Sequence, residues 1–201
     1  MHIQKDNSKT GKIDGIYYDR SMCDKNLPCY RPCYWGRCMA RFQNVAQYAE
    51  QNTALWRDKP EEAEKRFRAY LEYERPDFFR HLVGGDFLSL DNLRRLVSIA
   101  ADNEQTHFLA YTKKHDYIEE FLSIGGRFPF NFRLRLSVWP NFFPPDRLIQ
   151  AGFQLYFTGT PSHYIGTPFE QRAAKAYECI GKCDTCLYCW GGYYDVINDF
   201  H

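Results

Sequence analysis

Cysteine is the residue type with the most chemistry to offer in this 201-residue chain, and its eight copies fall in two short stretches. The later stretch reads Cys179-Ile-Gly-Lys-Cys183-Asp-Thr-Cys186-Leu-Tyr-Cys189-Trp190, and the earlier one carries Cys23, Cys29, Cys33 and Cys38. Thiolates at i, i+3 and i+6 of one tight loop can turn inward around a common centre. That arrangement suits an iron-sulfur cluster and, less naturally, tetrahedral zinc. The expectation is therefore that all eight cysteines are metal ligands, with a [4Fe-4S] cluster held by the N-terminal group, the C-terminal group or both. Zinc is the alternative metal. It would make the chain a stapled structural or interaction module, although the paired CxxC knuckles usual for zinc are missing.

Composition sets the compartment in which those thiols are expected to work. Lys+Arg 26 against Asp+Glu 25 leaves a net charge of +1, so no global field draws the chain to nucleic acid or to an anionic membrane. The opening Met1-His-Ile-Gln-Lys-Asp-Asn7 has no signal-peptide character, and no segment approaches the roughly 18 apolar residues of a membrane span. A cytoplasmic protein is expected, and in a reducing compartment grouped thiols serve as ligands rather than disulfides. The partners expected are a redox protein or a small-molecule substrate.

The positioning elements follow from hydrophobic periodicity and breakers. The polar run through Asn7, Gly11 and Asp14-Gly15 predicts a loop or short hairpin leading into Ile16-Tyr17-Tyr18. Pro28 and Pro32 keep the first cysteine stretch irregular. A helix is expected after Cys38, with Phe42, Val45, Ala46 and Ala49 on one face, and a second after Pro60 with Ala63, Phe67, Tyr70 and Leu71 buried. Short apolar strands are expected at Phe79–Val83, Thr106–Tyr111, Phe132–Val138 and Phe153–Phe157. Between them, helices are marked by Leu93, Leu96, Val97 and Ala100, by Ile118, Phe121 and Leu122 with Asp116 as cap, and by Pro144-Pro145-Asp146. Thr167-Pro168-Phe169-Glu170 predicts a last helix with Phe169, Ala173, Ala176 and Tyr177 on one side.

Strand centres spaced about 27, 27 and 19 residues apart match successive βα units. The fold class expected is α/β, with a mostly parallel sheet forming an open or partial (β/α) barrel. One domain spans 1–201: a cysteine-rich segment over 1–40, a β/α core over 41–178 and a second cysteine-rich segment over 179–201. In such folds ligands sit beyond the carboxyl ends of the strands. That rule makes Asp86, Tyr111, Lys113 and Ser137 pocket candidates. Gly84 and Gly85 would permit close backbone approach to a cofactor, with Asp86 as acceptor or base. Asp86 could equally hold backbone amides in a tight turn. Histidine spacing gives no metal motif, and neither GxGxxG nor GxxxxGK[ST] is present.

The ordered motifs resemble the phage Gene product 88 family. The matching pieces are Asn7-Ser-Lys-Thr-Gly-Lys12, the Cys23, Cys29 and Cys33-Tyr34 group, Val83-Gly-Gly-Asp-Phe87, Ala110-Tyr-Thr-Lys113, Leu136-Ser137 and Cys183-x2-Cys186-x2-Cys189-Trp190. The resemblance covers nearly the whole chain and implies a bacteriophage origin, a bacterial host cytoplasm and the same cysteine frame; Cys38 and Cys179 match it less clearly. A second, smaller likeness is to radical S-adenosylmethionine enzymes, which join a partial or full (β/α) barrel to a cluster held by CxxxCxxC. Cys179-x3-Cys183-x2-Cys186 has that spacing. Such enzymes, however, carry the motif early, after the first strand, and leave one iron open for the cofactor. On that likeness S-adenosylmethionine is a further candidate cofactor.

Overall fold

The four foreseen strands form where short aromatic and leucine-rich runs place successive side chains on opposite faces; they are β2 to β5. They span Phe78–Arg80, His107–Thr112, Phe132–Val138 and Gln154–Thr158. The computed structural model describes residues 1–191 and 193–199. Three further strands complete the sheet: β1 (Asp14–Gly15), β6 (Tyr177–Glu178) and β7 (Val196–Asn198). Two or three residues are too few to carry a visible period, so sequence patterning resolved four strands clearly and left room for one or two more. The order is β1-β2-β3-β4-β5-β7-β6, every pairing is parallel, and the sheet curls into half a barrel.

The helices are α1 (Tyr34–Arg41), α2 (Gln43–Asp58), α3 (Pro60–Glu74), α4 (Leu90–Ala101), α5 (His115–Ser123), α6 (Asp146–Gln150), α7 (Glu170–Ala174), α8 (Cys183–Cys186) and α9 (Tyr188–Gly191). Three differ from expectation. Helix α1 starts at Tyr34, before Cys38, because Pro32 restrains only the chain ahead of the first turn, and the Arg37 amide donates to the Cys33 carbonyl at 3.2 Å. Helix α5 starts at His115, so Asp116 lies in its first turn rather than at its cap. Helix α7 is a single turn. Tyr177 has left it for β6, where its amide donates to the Asp195 carbonyl at 2.9 Å and a sheet ladder replaces the helical bond.

Period-two alternation sends the two faces of the sheet to different partners. Phe108, Ala110, Leu134, Leu136, Val138, Leu155 and Phe157 join Phe67, Leu71, Leu93, Leu96 and Ile118 in the main core. On the other face Leu109 packs with Ile13, Cys183 and Trp190. A third cluster joins Tyr17, Trp35 and Ala49, with Cys33, Cys38 and Val83 at its edge. Each cysteine stretch is thus built into the half-barrel rather than appended to it. Among the described residues no helix is long and apolar enough to cross a membrane.

Candidate functional site: a cysteine-lined cleft at the strand ends

The loops leaving β1 and β2 are laced together before they reach the cleft. Ile16 donates to the Arg80 carbonyl (3.1 Å), Val83 to Ile16 (2.9 Å) and Tyr18 to Gly84 (2.9 Å), while the Trp35 indole donates to the Tyr18 carbonyl at 2.9 Å. This lacing explains the paired glycines. A Cβ on Gly84 would lie 2.2 Å from the Trp35 ring, and one on Gly85, at φ +78°, would lie 2.8 Å from the Tyr18 carbonyl oxygen. The close approach they permit is first of all to the protein's own cysteine-bearing loop.

Beyond the carboxyl ends of the strands lies a cleft lined by Cys23, Cys29 and Cys33 from the loop after β1. Gly84, Gly85 and Asp86 after β2, Tyr111 and Lys113 from β3 and its exit, and Ser137 from β4 complete the foreseen set. Every strand-end candidate therefore reaches one hollow. Cys38 does not line it: one turn along α1 from Tyr34, it packs at the edge of the Tyr17, Trp35 and Ala49 cluster instead. Cys179, Cys183, Cys186 and Cys189 line a separate pocket with Tyr177 and Trp190.

Asp86 is the organising acid. Its Oδ1 accepts from the Thr112 hydroxyl (2.6 Å) and the Phe87 amide (2.9 Å), and its Oδ2 accepts from the Lys113 amide at 2.9 Å. The turn reading of this residue holds, since its side chain ties two backbone amides, and the residue also lines the cleft. It does not cap the following helix; Ser89 does, accepting from the Asn92 amide at 3.1 Å. Burial pushes the Asp86 carboxyl up, against the Lys113 charge and the three hydrogen bonds that favour its ionised form.

The thiols are all free of disulfides. Burial pushes the Cys23 thiol up to about 12, with the Asp86 charge adding and the Lys113 charge opposing, and Cys29 is raised by burial in the same surroundings. Left alone, such thiols stay protonated at neutral pH, and a metal must displace the protons to bind them. Among the described residues no three His, Cys, Asp or Glu side chains are set to grip a single ion. What relates these thiols is a shared hollow, which Asp24, Asp86 and Lys113 also line.

Several lining residues escaped sequence reasoning, two of them with a clear place in the site. Arg80 and Tyr156 occupy inner-facing positions of β2 and β5 beside Tyr111. The Arg80 guanidinium stands 4.9 Å over the Tyr111 ring, the Tyr111 and Tyr156 rings are 4.6 Å apart, and Arg80 Nε is enclosed without a hydrogen-bond partner. The usable signal was register: Arg80 pairs with Leu109 and Tyr156 with Ser137, so each shares its partner's face once the pairing is known.

Comparisons with curated proteins and with solved structures find no match. The family model of Gene product 88, by contrast, matches residues 10–192, from the turn before β1 to the end of the second cysteine stretch. With its cysteine frame, glycine pair and strand-end residues all inside that span, the chain belongs to the Gene product 88 family.

Proposed function

We propose that this protein is an iron-sulfur enzyme whose [4Fe-4S] cluster is held by Cys23, Cys29 and Cys33 and faces a small-molecule cleft at the strand ends. The observation that carries the reading is that these three thiols line the same cleft as Asp86, Tyr111, Lys113 and Ser137. Three protein thiolates leave one iron of a four-iron cluster without a protein ligand, and that vacancy suits a bound co-substrate. When bound, the cluster would supply one-electron reduction. The rest falls to the chain: Lys113 and Arg80 offer positive charge to an anionic group, Asp86 fixes the Lys113 backbone, and Tyr111 with Tyr156 forms an aromatic wall.

The parallel half-barrel and the placement of these cysteines after β1 favour radical S-adenosylmethionine chemistry as the reaction class. The cysteines that match it by position are Cys23, Cys29 and Cys33, not the C-terminal triplet whose spacing first drew the comparison. The spacing here, x5 then x3, departs from CxxxCxxC.

The test is anaerobic purification and reconstitution, followed by electron paramagnetic resonance of the reduced protein with and without S-adenosylmethionine. A brown protein whose signal shifts on adding S-adenosylmethionine, and loses that shift in the Cys29→Ser/Cys33→Ser variant, is the expected result. A colourless protein carrying only zinc would overturn the iron-sulfur reading. A cluster indifferent to S-adenosylmethionine would overturn that co-substrate.

A further inference from the structure

One charge in the strand-end cleft is left unanswered by the protein. Arg80 closes β2, and its backbone is held from both sides: it pairs with Gly15 on β1 and Leu109 on β3, while its carbonyl accepts from the Ile16 amide at 3.1 Å. Its side chain lines the cleft. The guanidinium stands 4.9 Å over the Tyr111 ring and its Nε is enclosed without an acceptor. Among the described residues no carboxylate lies within ion-pair distance of it.

The other charges of the cleft are already engaged or lie in solvent. Arg20 donates to the Tyr30 carbonyl and covers that ring at 3.8 Å, Lys114 lies over the Tyr117 ring at 5.3 Å, and Lys113 is within reach of the Asp86 charge. Asp86 gives both carboxylate oxygens to Thr112, Phe87 and Lys113, and the cleft's remaining acids, Asp24 and Asp199, are exposed. The groups that act electrostatically on Arg80 are the phenols of Tyr111 and Tyr156 and the thiols of Cys183 and Cys189, all ordinarily protonated at neutral pH. A ring face returns only part of the hydration that a guanidinium gives up. An enclosed cation so placed is costly until an anion joins it.

We propose that Arg80 takes the anionic group of the substrate, a carboxylate or a phosphate, so that the cleft serves organic acids or phosphate esters. This assignment rests on the reading of the cleft as a small-molecule site. The planar guanidinium offers parallel N–H donors to two oxygens of one anionic group, a match that a lysine ammonium does not make. Its seat on Tyr111, whose ring lies 4.6 Å from that of Tyr156, fixes the plane in which those donors are presented.

The experiment follows the arginine Nε–H resonances of isotope-labelled full-length protein, before and after anaerobic reconstitution, as sodium phosphate or sodium acetate is added at constant ionic strength, with sodium chloride as control. The Arg80 signal, assigned by its absence in Arg80→Lys, should shift saturably with one of the oxyanions and not with chloride. Tighter phosphate points to phosphate esters, and tighter acetate to carboxylic acids. By calorimetric titration the affinity should fall about ten-fold in Arg80→Lys, which keeps the charge and loses the fork, and further in Arg80→Met. No saturable shift with either oxyanion, or an unchanged affinity in Arg80→Met, overturns the assignment. A response abolished by saturating S-adenosylmethionine would give the guanidinium to that co-substrate's own carboxylate and overturn it equally. Oxyanion binding by a colourless protein keeps this site while the cluster reading falls; a loaded cluster without an oxyanion response does the reverse. The wild-type titration against chloride decides the matter even where a variant fails to fold.

Discussion

The Asp86 carboxylate accepts a hydrogen bond from the Thr112 hydroxyl at 2.6 Å, tying the exit of β2 to the exit of β3 beside the cleft. Thr112 Oγ1 in turn accepts from the Lys114 amide at 2.9 Å, so a single relay fixes both loops. Asp86→Ala leaves the Thr112 hydroxyl and the Lys113 amide without their acceptor. It should lower stability by about 2–4 kcal/mol, and Asp86→Asn by less, because one carbonyl oxygen remains. Urea unfolding of the three proteins checks the ranking; equal midpoints for Asp86→Ala and wild type would refute the relay.

Gly84→Ala forces its new methyl into the Trp35 ring, which is buried and donates to Tyr18. The expected loss is about 1–3 kcal/mol, with reduced iron uptake at Cys23, Cys29 and Cys33, because Trp35 anchors α1 immediately after Cys33. Thermal melts and iron content read both effects. A variant that melts like wild type and loads fully would show that Trp35 has room to move.

Arg135→Met removes the donors to the Cys189 carbonyl (3.2 Å) and the Tyr194 carbonyl (2.9 Å) while keeping much of the buried stem. Faster hydrogen exchange should follow in residues 183–190, with a loss of about 2–4 kcal/mol for the carbonyls left unpaired. Unchanged exchange there would mean that the other anchors, Trp190 among them, suffice.

His81 sets the acid limit of the fold. Both ring nitrogens are enclosed without partners, the ring stacks on Phe108 at 5.3 Å and Phe132 at 5.6 Å, and burial lowers its pKa to about 3. The unfolded chain binds this proton near pH 6.5 and the folded chain does not. The stability His81 permits is thus complete above pH 6.5 and falls as pH drops from 6.5 toward 3, by about 2 kcal/mol at pH 5. His115, lowered by burial to about 4, adds in the same direction. In His81→Phe the urea midpoint should fall less between pH 7.5 and pH 5; an identical fall would assign the acid sensitivity elsewhere.

The long amphipathic elements were legible because their periods are set by local geometry: the Phe132–Val138 strand and the helix from Pro60 stand where alternation and the N1 proline put them. Thiol spacing, the glycine pair and the strand-end polar residues could likewise be read directly, since side-chain chemistry and chain order are properties of sequence. Tertiary structure decided how they are grouped. It separated Cys38 from Cys23, Cys29 and Cys33, put the two cysteine groups in different pockets, and turned Arg80 and Tyr156 inward between them. Those outcomes depend on parallel register and on very short strands such as β1, β6 and β7, whose pairing energy comes from neighbours distant in the chain. No local period encodes that energy.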